Sequence, residues 1–404
     1  MLTSNRISEF QVVGLSYISF VVLGLPGAIL GVAWPSIRET FSLSLDAVGI
    51  LLTASTIGYL VSSFFSGRVI SRLGTGLTLS LSSLVAGVGL LGYGFAPSWW
   101  FMILIGLGGG LGTGTIDAGL NLYFARVYGP RLMNWLHAAF GLGAALGPLL
   151  ITALLNSQQS WRTGYLIVGT FQLIMAASFA LTIRCWQNFG ASIDTPEAPQ
   201  QDDISLIDTI RQPLVWLSVL LFAFAAGAEL VVGQWVYVLF TQARGIDTNT
   251  AGQWVSIYWA SFTVGRIVFG IVANRLPINR SISAVMVITI LGALLIWANL
   301  SDAASLVGLI TVGFMIGPIF PLLISTTPDR LGQHANNAVG IQVSAASIGI
   351  AALPALGGVL AERIGIDSIA PFIAAIAVIT LVLYQLASVR QISPVAKTKP
   401  VLAD

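Results

Sequence analysis

Residues 214–241 read LVWLSVLLFAFAAGAELVVGQWVYVLFT, 28 residues in which Glu229 is the single charged side chain. At about 1.5 Å per residue a helix of this length reaches roughly 42 Å, more than the ~30 Å hydrocarbon core of a bilayer. The run has no period-two alternation, so it reads as a membrane helix and not as a barrel strand. Eleven further apolar runs lie around it, near residues 12–35, 45–66, 76–96, 99–124, 133–155, 164–183, 251–273, 281–300, 304–326, 338–361 and 369–386. Over all 404 residues, 56% are hydrophobic and 8% charged, against about 25% charged in soluble domains. That balance excludes a water-soluble enzyme. A formal charge of +2 without a basic cluster leaves no electrostatic footing for nucleic acid.

Just before residue 214 the chain turns polar. Residues 185–213 carry Asp194, Glu197, Asp202, Asp203 and Asp208 with three prolines, and they divide the runs six and six. The expected organisation is an N-terminal six-helix bundle (1–184), a cytoplasmic linker (185–213) and a C-terminal six-helix bundle with a short tail (214–404). Ile204, Leu206, Ile207 and Ile210 fit either a short interfacial helix or a solvated linker. The first apolar run is too long for a signal peptide and reads as a span. With both termini on one side, 13 of the 18 Lys and Arg residues fall there; Arg38, Arg162, Arg244 and Arg363 fall opposite, and Arg266 lies within a span. The positive-inside rule then places both termini in the cytoplasm of a multi-pass protein of the cell inner membrane.

The two halves also repeat at an offset near 203. GRVISRLG at 67–74 aligns with GIVANRLP at 270–277, and Gly143, Ala145, Pro148, Leu150 recur in spacing as Gly349, Ala351, Pro354, Leu356. Both matches fall in corresponding spans, the second with the eighth and the fifth with the eleventh, as an internal repeat requires.

Twelve spans, a central polar loop and the degenerate loop motif after spans two and eight resemble the major facilitator superfamily over essentially the whole chain. Three strings, GLGTGTIDAGLNLYFA (110–125), GAELVVGQWVYVLF (227–240) and GPIFPLLIS (317–325), resemble its bacterial fucose and glucose/galactose permease group. The resemblance implies an all-α membrane protein of two pseudo-symmetric six-helix bundles around a cavity lined by spans one, four, seven and ten. It also implies alternating access and ion-driven import of a sugar-like solute. Two departures matter. Ser71 and Asn274 stand where the loop motif carries an acidic residue, and no basic residue precedes Gly106, Gly108 and Gly110 as in drug/proton antiporters.

Of the 16 acidic residues, only Asp117 and Glu229 fall deep inside spans. An ionised carboxylate there costs a few kcal/mol, so each must be paired, hydrated or protonated. Both are candidates for proton coupling, with an interhelical structural bond as the alternative reading and sodium as the other ion. Asn121 lies one helical turn from Asp117 and could share a polyol with it, or bond a neighbouring helix. Gln234 offers an amide and Trp235 an aromatic face to a sugar, although Trp235 also suits an interfacial anchor. Tyr258, Trp259 and Gln342 are secondary cavity candidates. Trp34, Trp99, Trp100 and Trp161 sit at span ends and read as interfacial anchors. His137, near the cytoplasmic end of the fifth span, could exchange protons or simply pack. Arg266 is too deep to reach water unaided and needs a partner; with Arg72 and Arg275 it forms the expected gating or structural ion-pair set.

With one cysteine, Cys185, and two histidines, a multi-cysteine or His-rich metal site is not expected, and neither is a cofactor. The glycines at 108, 110 and 112 lie inside an apolar span without a Walker lysine, so ATP hydrolysis has no support. The expected function is a secondary active transporter, monomeric in the bilayer, working as a proton-coupled importer of a small polar solute such as a sugar. Proton-coupled export of drugs or amphipathic metabolites is the alternative, and a non-transporting sensor on the same fold is a third reading.

Overall fold

The computed structural model describes residues 2–128, 130–186, 204–272 and 275–389, with side chains from Phe10 onward except Pro130. Most of the acidic linker (187–203), Asn274, and the tail charges Arg390, Lys397 and Lys399 lie outside the described residues, as does the side chain of Arg6. The described residues are almost entirely helical and contain no strand, with twelve helical stretches long and apolar enough to cross a membrane. The first six are α1 (Leu2–Phe41), α2 (Val48–Leu73), α3 (Thr75–Gly94), α4 (Trp99–Val127), α5 (Pro130–Asn156) and α6 (Trp161–Leu181). A short helix, α7 (Leu206–Ile210), leads into α8 (Pro213–Val238), α9 (Thr248–Val272) and α10 (Ile278–Ala298). The tenth span is broken into α11 (Asp302–Ile316) and α12 (Ile319–Ser325); α13 (Thr327–Leu331), α14 (Ala335–Arg363) and α15 (Ile369–Val389) complete the chain.

Local chemistry sets the ends of these helices. The hydroxyls of Ser98, Ser160 and Ser301 accept from backbone N–H groups in the first turns of α4, α6 and α11, satisfying donors that have no intrahelical partner. Gly74 (φ 79°) stops α2 and Asn299 (φ 46°) stops α10 in left-handed conformations. Two arginines close the exposed carbonyl ends of corresponding helices. Arg162 donates to Gly94 O (3.3 Å) and Ala96 O (2.9 Å) after α3, and Arg244 donates to Ile296 O near the end of α10. A cation is favoured at both places by the helix dipole.

The break in the tenth span follows from GPIFP. Pro321 has no N–H to give the carbonyl four residues back, so Gly317 O is left without its helical partner. The helix stops at Ile316 and resumes at Ile319. Pro318 and Pro321 thus interrupt the tenth span, and the freed carbonyl becomes part of the site below.

The internal repeat is present in three dimensions. Gly110 and Gly114 of α4 press on the carbonyls of Ser55 and Tyr59 in α2; Gly313 and Gly317 press on those of Tyr258 and Phe262 in α9. Every one of these four pairs of positions is 203 residues apart. Likewise Gly143 meets Val21 O on α1, and Gly349 meets Ala223 O on α8. At these six glycines a Cβ would fall 1.9–2.6 Å from the opposing carbonyl. The glycines therefore set the spacing of the helices, the general device of close helix packing in membranes.

The halves meet chiefly through α5 with α9, α2 with α14 and α1 with α8. The close approaches cluster toward the end of the molecule away from the chain termini. Gly31 of α1 lies under Gly233 O of α8, Gly49 of α2 against Ala355 of α14, and Gly252 of α9 against Thr152 of α5. The Leu45 N–H donates to Glu362 Oε2 across the same gap at 2.7 Å. Nearer the middle of the spans Gly141 of α5 also packs against Thr263 of α9, whereas Gly14, Gly67, Gly270 and Gly340, closer to the terminal end, have open space beside them. The molecule is closed at the far end.

The far end also corrects the reading of its tryptophans. Of the four tryptophans expected to anchor at span ends, Trp34, Trp99 and Trp161 are buried inside the protein and Trp100 is exposed. Trp34 donates to Leu45 O and Trp161 to Thr40 Oγ1, and Trp34 stacks near Trp99 at 5.8 Å. The loop after α1 folds back over them, so aromatic groups that would anchor in a headgroup layer are used as core.

Candidate functional site

Two polar centres lie within the spans, one in each half. In the N-terminal half, Tyr59 of α2 donates its hydroxyl hydrogen to Asp117 Oδ2 on α4. Asn121, one turn on, donates from Nδ2 to Asp117 Oδ1 (2.9 Å) and to the Asp117 carbonyl (2.9 Å). The i, i+4 spacing read from the sequence is therefore real, but Tyr59, 58 positions away, was not foreseen. All three side chains are partly exposed. Intramembrane carboxylates face the interior of a helix bundle and not hydrocarbon.

In the C-terminal half, Glu229 of α8 supplies the partner that Arg266 requires. Arg266 Nη2 lies 3.6 Å from Glu229 Oε2, with 26% and 14% of the two side chains exposed. Arg266 Nε donates to the freed Gly317 O at 3.0 Å, and its guanidinium sits 4.4 Å over the Phe262 ring. Tyr258 donates its hydroxyl hydrogen to the Glu229 carbonyl at 2.9 Å. His137 of α5 is within electrostatic reach of Arg266 across the interface of the halves and packs edge-on to Phe20 at 5.9 Å. One carboxylate is thus linked through one guanidinium to a helix break.

The remaining expected residues divide differently. Trp235 is fully buried, its Nε1–H donating to Pro354 O at 2.8 Å, and its ring fills the space beside Gly357 and Gly358. In this conformation it offers no stacking face and is no membrane anchor; it joins α8 to α14. Trp235→Phe is expected to leave the buried Pro354 carbonyl without this donor and to cost about 1–3 kcal/mol. A lowered thermal midpoint with unchanged solute affinity checks this. Gln234 and Trp259 are each 3% exposed, and Gln234 Nε2 and Trp259 Nε1 have no protein acceptor. Gln342, 1% exposed, accepts from Thr327 Oγ1 at 3.0 Å. It borders a small void with Ser218 and Arg330, whose guanidinium lies over the Tyr384 ring. Arg72 and Arg275 are exposed at the terminal ends of α2 and α9, and neither is in an ion pair with a described residue. Of the expected gating or structural ion-pair set, Arg266 is the member paired among the described residues. In the linker, Thr209 is buried against His334 and Asn337 of the second half, while Leu206, Ile207 and Ile210 of α7 stay exposed. Among the described residues no group of three or more His, Cys, Asp or Glu is placed to hold a metal.

Twelve apolar helices in two repeated sets of six, with one carboxylate deep in the spans of each half, define a membrane carrier. The family model for the Major Facilitator Superfamily matches residues 16–352, and the chain belongs to this superfamily of transporters. Bypass of stop codon protein 6 of Saccharomyces cerevisiae is 25% identical over 387 residues, covering 87% of this chain and 77% of that one. The glucose/mannose transporter GlcP of Bacillus subtilis is 21% identical over 349 residues, with 85% and 86% covered. Among solved structures, the nucleoside transporter NupG superposes with a TM-score of 0.75 at 12% identity, covering 94% of this chain and 99% of that one. The fold is accordingly the expected all-α, twelve-span architecture, and the protein is a transporter and not an enzyme.

Proposed function

We propose that this transporter takes up a neutral sugar by proton symport, alternating between a state closed at the far end and one closed at the terminal, cytoplasmic end. The observation that carries the coupling is the Glu229–Arg266 pair. A proton on Glu229 removes the charge that holds Arg266, and Arg266 is also tied to the break at Gly317 and faces His137 on the other half. Protonation therefore acts on the packing between α8, α9 and α11 and, through α5, on the fit of the two bundles. Asp117 and Asn121 contact the solute. The orphaned donors of Gln234 and Trp259 are enclosed while the far end is closed; opening that end supplies them with solute or water. The sugar assignment is supported by these hydroxyl-binding groups and by the similarity to the glucose/mannose transporter.

Counterflow in proteoliposomes, with a panel of labelled monosaccharides, tests the reading without assuming the driving ion. Exchange of one sugar, blocked by unlabelled excess, is the expected result. Absence of exchange across the panel by folded, inserted protein would discard the sugar reading in favour of an exported, more apolar solute.

A further inference from the structure

The hydrogen bonds around Asp117 are arranged in one direction. Tyr59 has one proton to give, and it goes to Oδ2. Asn121 spends its Nδ2 donors on Oδ1 and on the Asp117 carbonyl. The neighbouring hydroxyls are committed too: Ser62 donates to Tyr59 O, Ser63 to Gly114 O and Thr113 to Gly110 O. What remains on the exposed side is the amide oxygen of Asn121 and the unused lone pairs of the carboxylate, all acceptors. The positions 203 residues on from Tyr59 and Asp117 are Phe262 and Phe320, so the second half offers no matching polar surface there. The membrane-embedded cation, Arg266, is already faced by Glu229. With Glu229 ionised the net charge of these three groups is that of Asp117, and in either state of Glu229 the charge at the Tyr59–Asp117–Asn121 face is Asp117's own.

We infer that Tyr59, Asp117 and Asn121 form an acceptor-only face that admits neutral and amino sugars and rejects anionic ones, the uronic acids and sugar phosphates. This rests on the reading that Asp117 contacts the solute. A hydroxyl or ammonium donates to such a face. A carboxylate or phosphate meets like charge and, at this face, finds no donor, since the protons of Tyr59 and Asn121 are already given away. Tyr59 is the specificity residue that sequence spacing could not show. It covers one oxygen of the carboxylate and so limits how many solute hydroxyls Asp117 can accept.

The test is competition with labelled glucose in counterflow, alongside thermal stabilisation of the purified protein, using glucose, glucosamine, glucuronate and glucose 6-phosphate. Glucosamine is expected to match or exceed glucose, and the two anions to be weaker by on the order of thirty-fold. Asp117→Asn is expected to abolish the advantage of glucosamine and to raise glucuronate relative to glucose. Tyr59→Phe uncovers Oδ2 without changing charge. It is expected to keep the rejection of anions and to lower KM for glucose about three-fold at constant kcat. A fall in kcat at constant KM would mark the phenol as structural and remove it from the proposal. If glucose shows no counterflow but glucosamine stabilises the protein through Asp117, the sugar-uptake reading fails and the acceptor-only face stands. If glucuronate or glucose 6-phosphate competes as well as glucose, or if no compound stabilises the protein, the inference is overturned.

Discussion

Glu229→Gln is expected to abolish uphill accumulation of solute while leaving counterflow within about three-fold of wild type. The amide keeps the size of the side chain 3.6 Å from Arg266 but can carry neither the charge nor the proton. A proton moving down a 100 mV membrane potential releases about 2.3 kcal/mol. At about 1.4 kcal/mol per decade this sustains a roughly fifty-fold solute gradient. The variant should bring that ratio to about one, because exchange needs no net proton movement whereas accumulation does. Retained counterflow also shows that the variant folds. Full accumulation with an unchanged pH dependence in Glu229→Gln would end the coupling role assigned to this residue.

A second large effect is expected at Gly31. A Cβ there would sit 2.4 Å from Gly233 O and 3.2 Å from the Gln234 Cα, and both belong to the opposite half. Gly31→Val therefore penalises the conformation closed at the far end and spares one in which α1 and α8 have parted. Overpacking of this kind costs about 1–3 kcal/mol, or roughly five- to 140-fold in the balance of states. Transport should fall by that order while binding from the opened side persists. Ala47, 8% exposed beside the same seam, gives the readout. On a Cys185→Ser background, Ala47→Cys should react faster with an impermeant maleimide when Gly31→Val is present. Gly27, on the same helix with open space beside it, provides a control: Gly27→Val should change neither property. Equal labelling and transport in both variants would mean that the Gly31 contact does not hold the far end shut.

The architecture was legible because bilayer thickness imposes run length, and a carboxylate in such a run stands out. Glu229 is the only charge in 28 residues, and Arg266 likewise announced its need for a partner. What the sequence could not reveal were pairings between spans. Nothing in the spacing joins Tyr59 to Asp117 or Glu229 to Arg266, since helices distant in the chain meet at points set by glycine contacts. Trp235 misled for a related reason: an aromatic ring beside polar residues reads the same whether it faces a cavity or fills the space over Gly357 and Gly358. The repeat helps in retrospect. The glycines at 110 and 114 are kept at 313 and 317, whereas Tyr59 becomes Phe262, Ser63 becomes Arg266, Asp117 becomes Phe320 and Glu229 stands opposite Pro26. The shared positions build the frame, and the positions where the halves differ carry the polar groups.

The pairing of helices also bears on how the chain is made. Contacts of α1 with α5 and α6, α2 with α4, and α3 with α4 and α6 all lie within residues 2–181. The first bundle can therefore finish assembling in the bilayer while the ribosome is still translating α8, in keeping with domains that fold as units from the N-terminus. Only the seam between α5 and α9, α2 and α14, and α1 and α8 must wait for the second bundle. The last surface to form during biogenesis is thus the one that opens and closes in the proposed transport cycle.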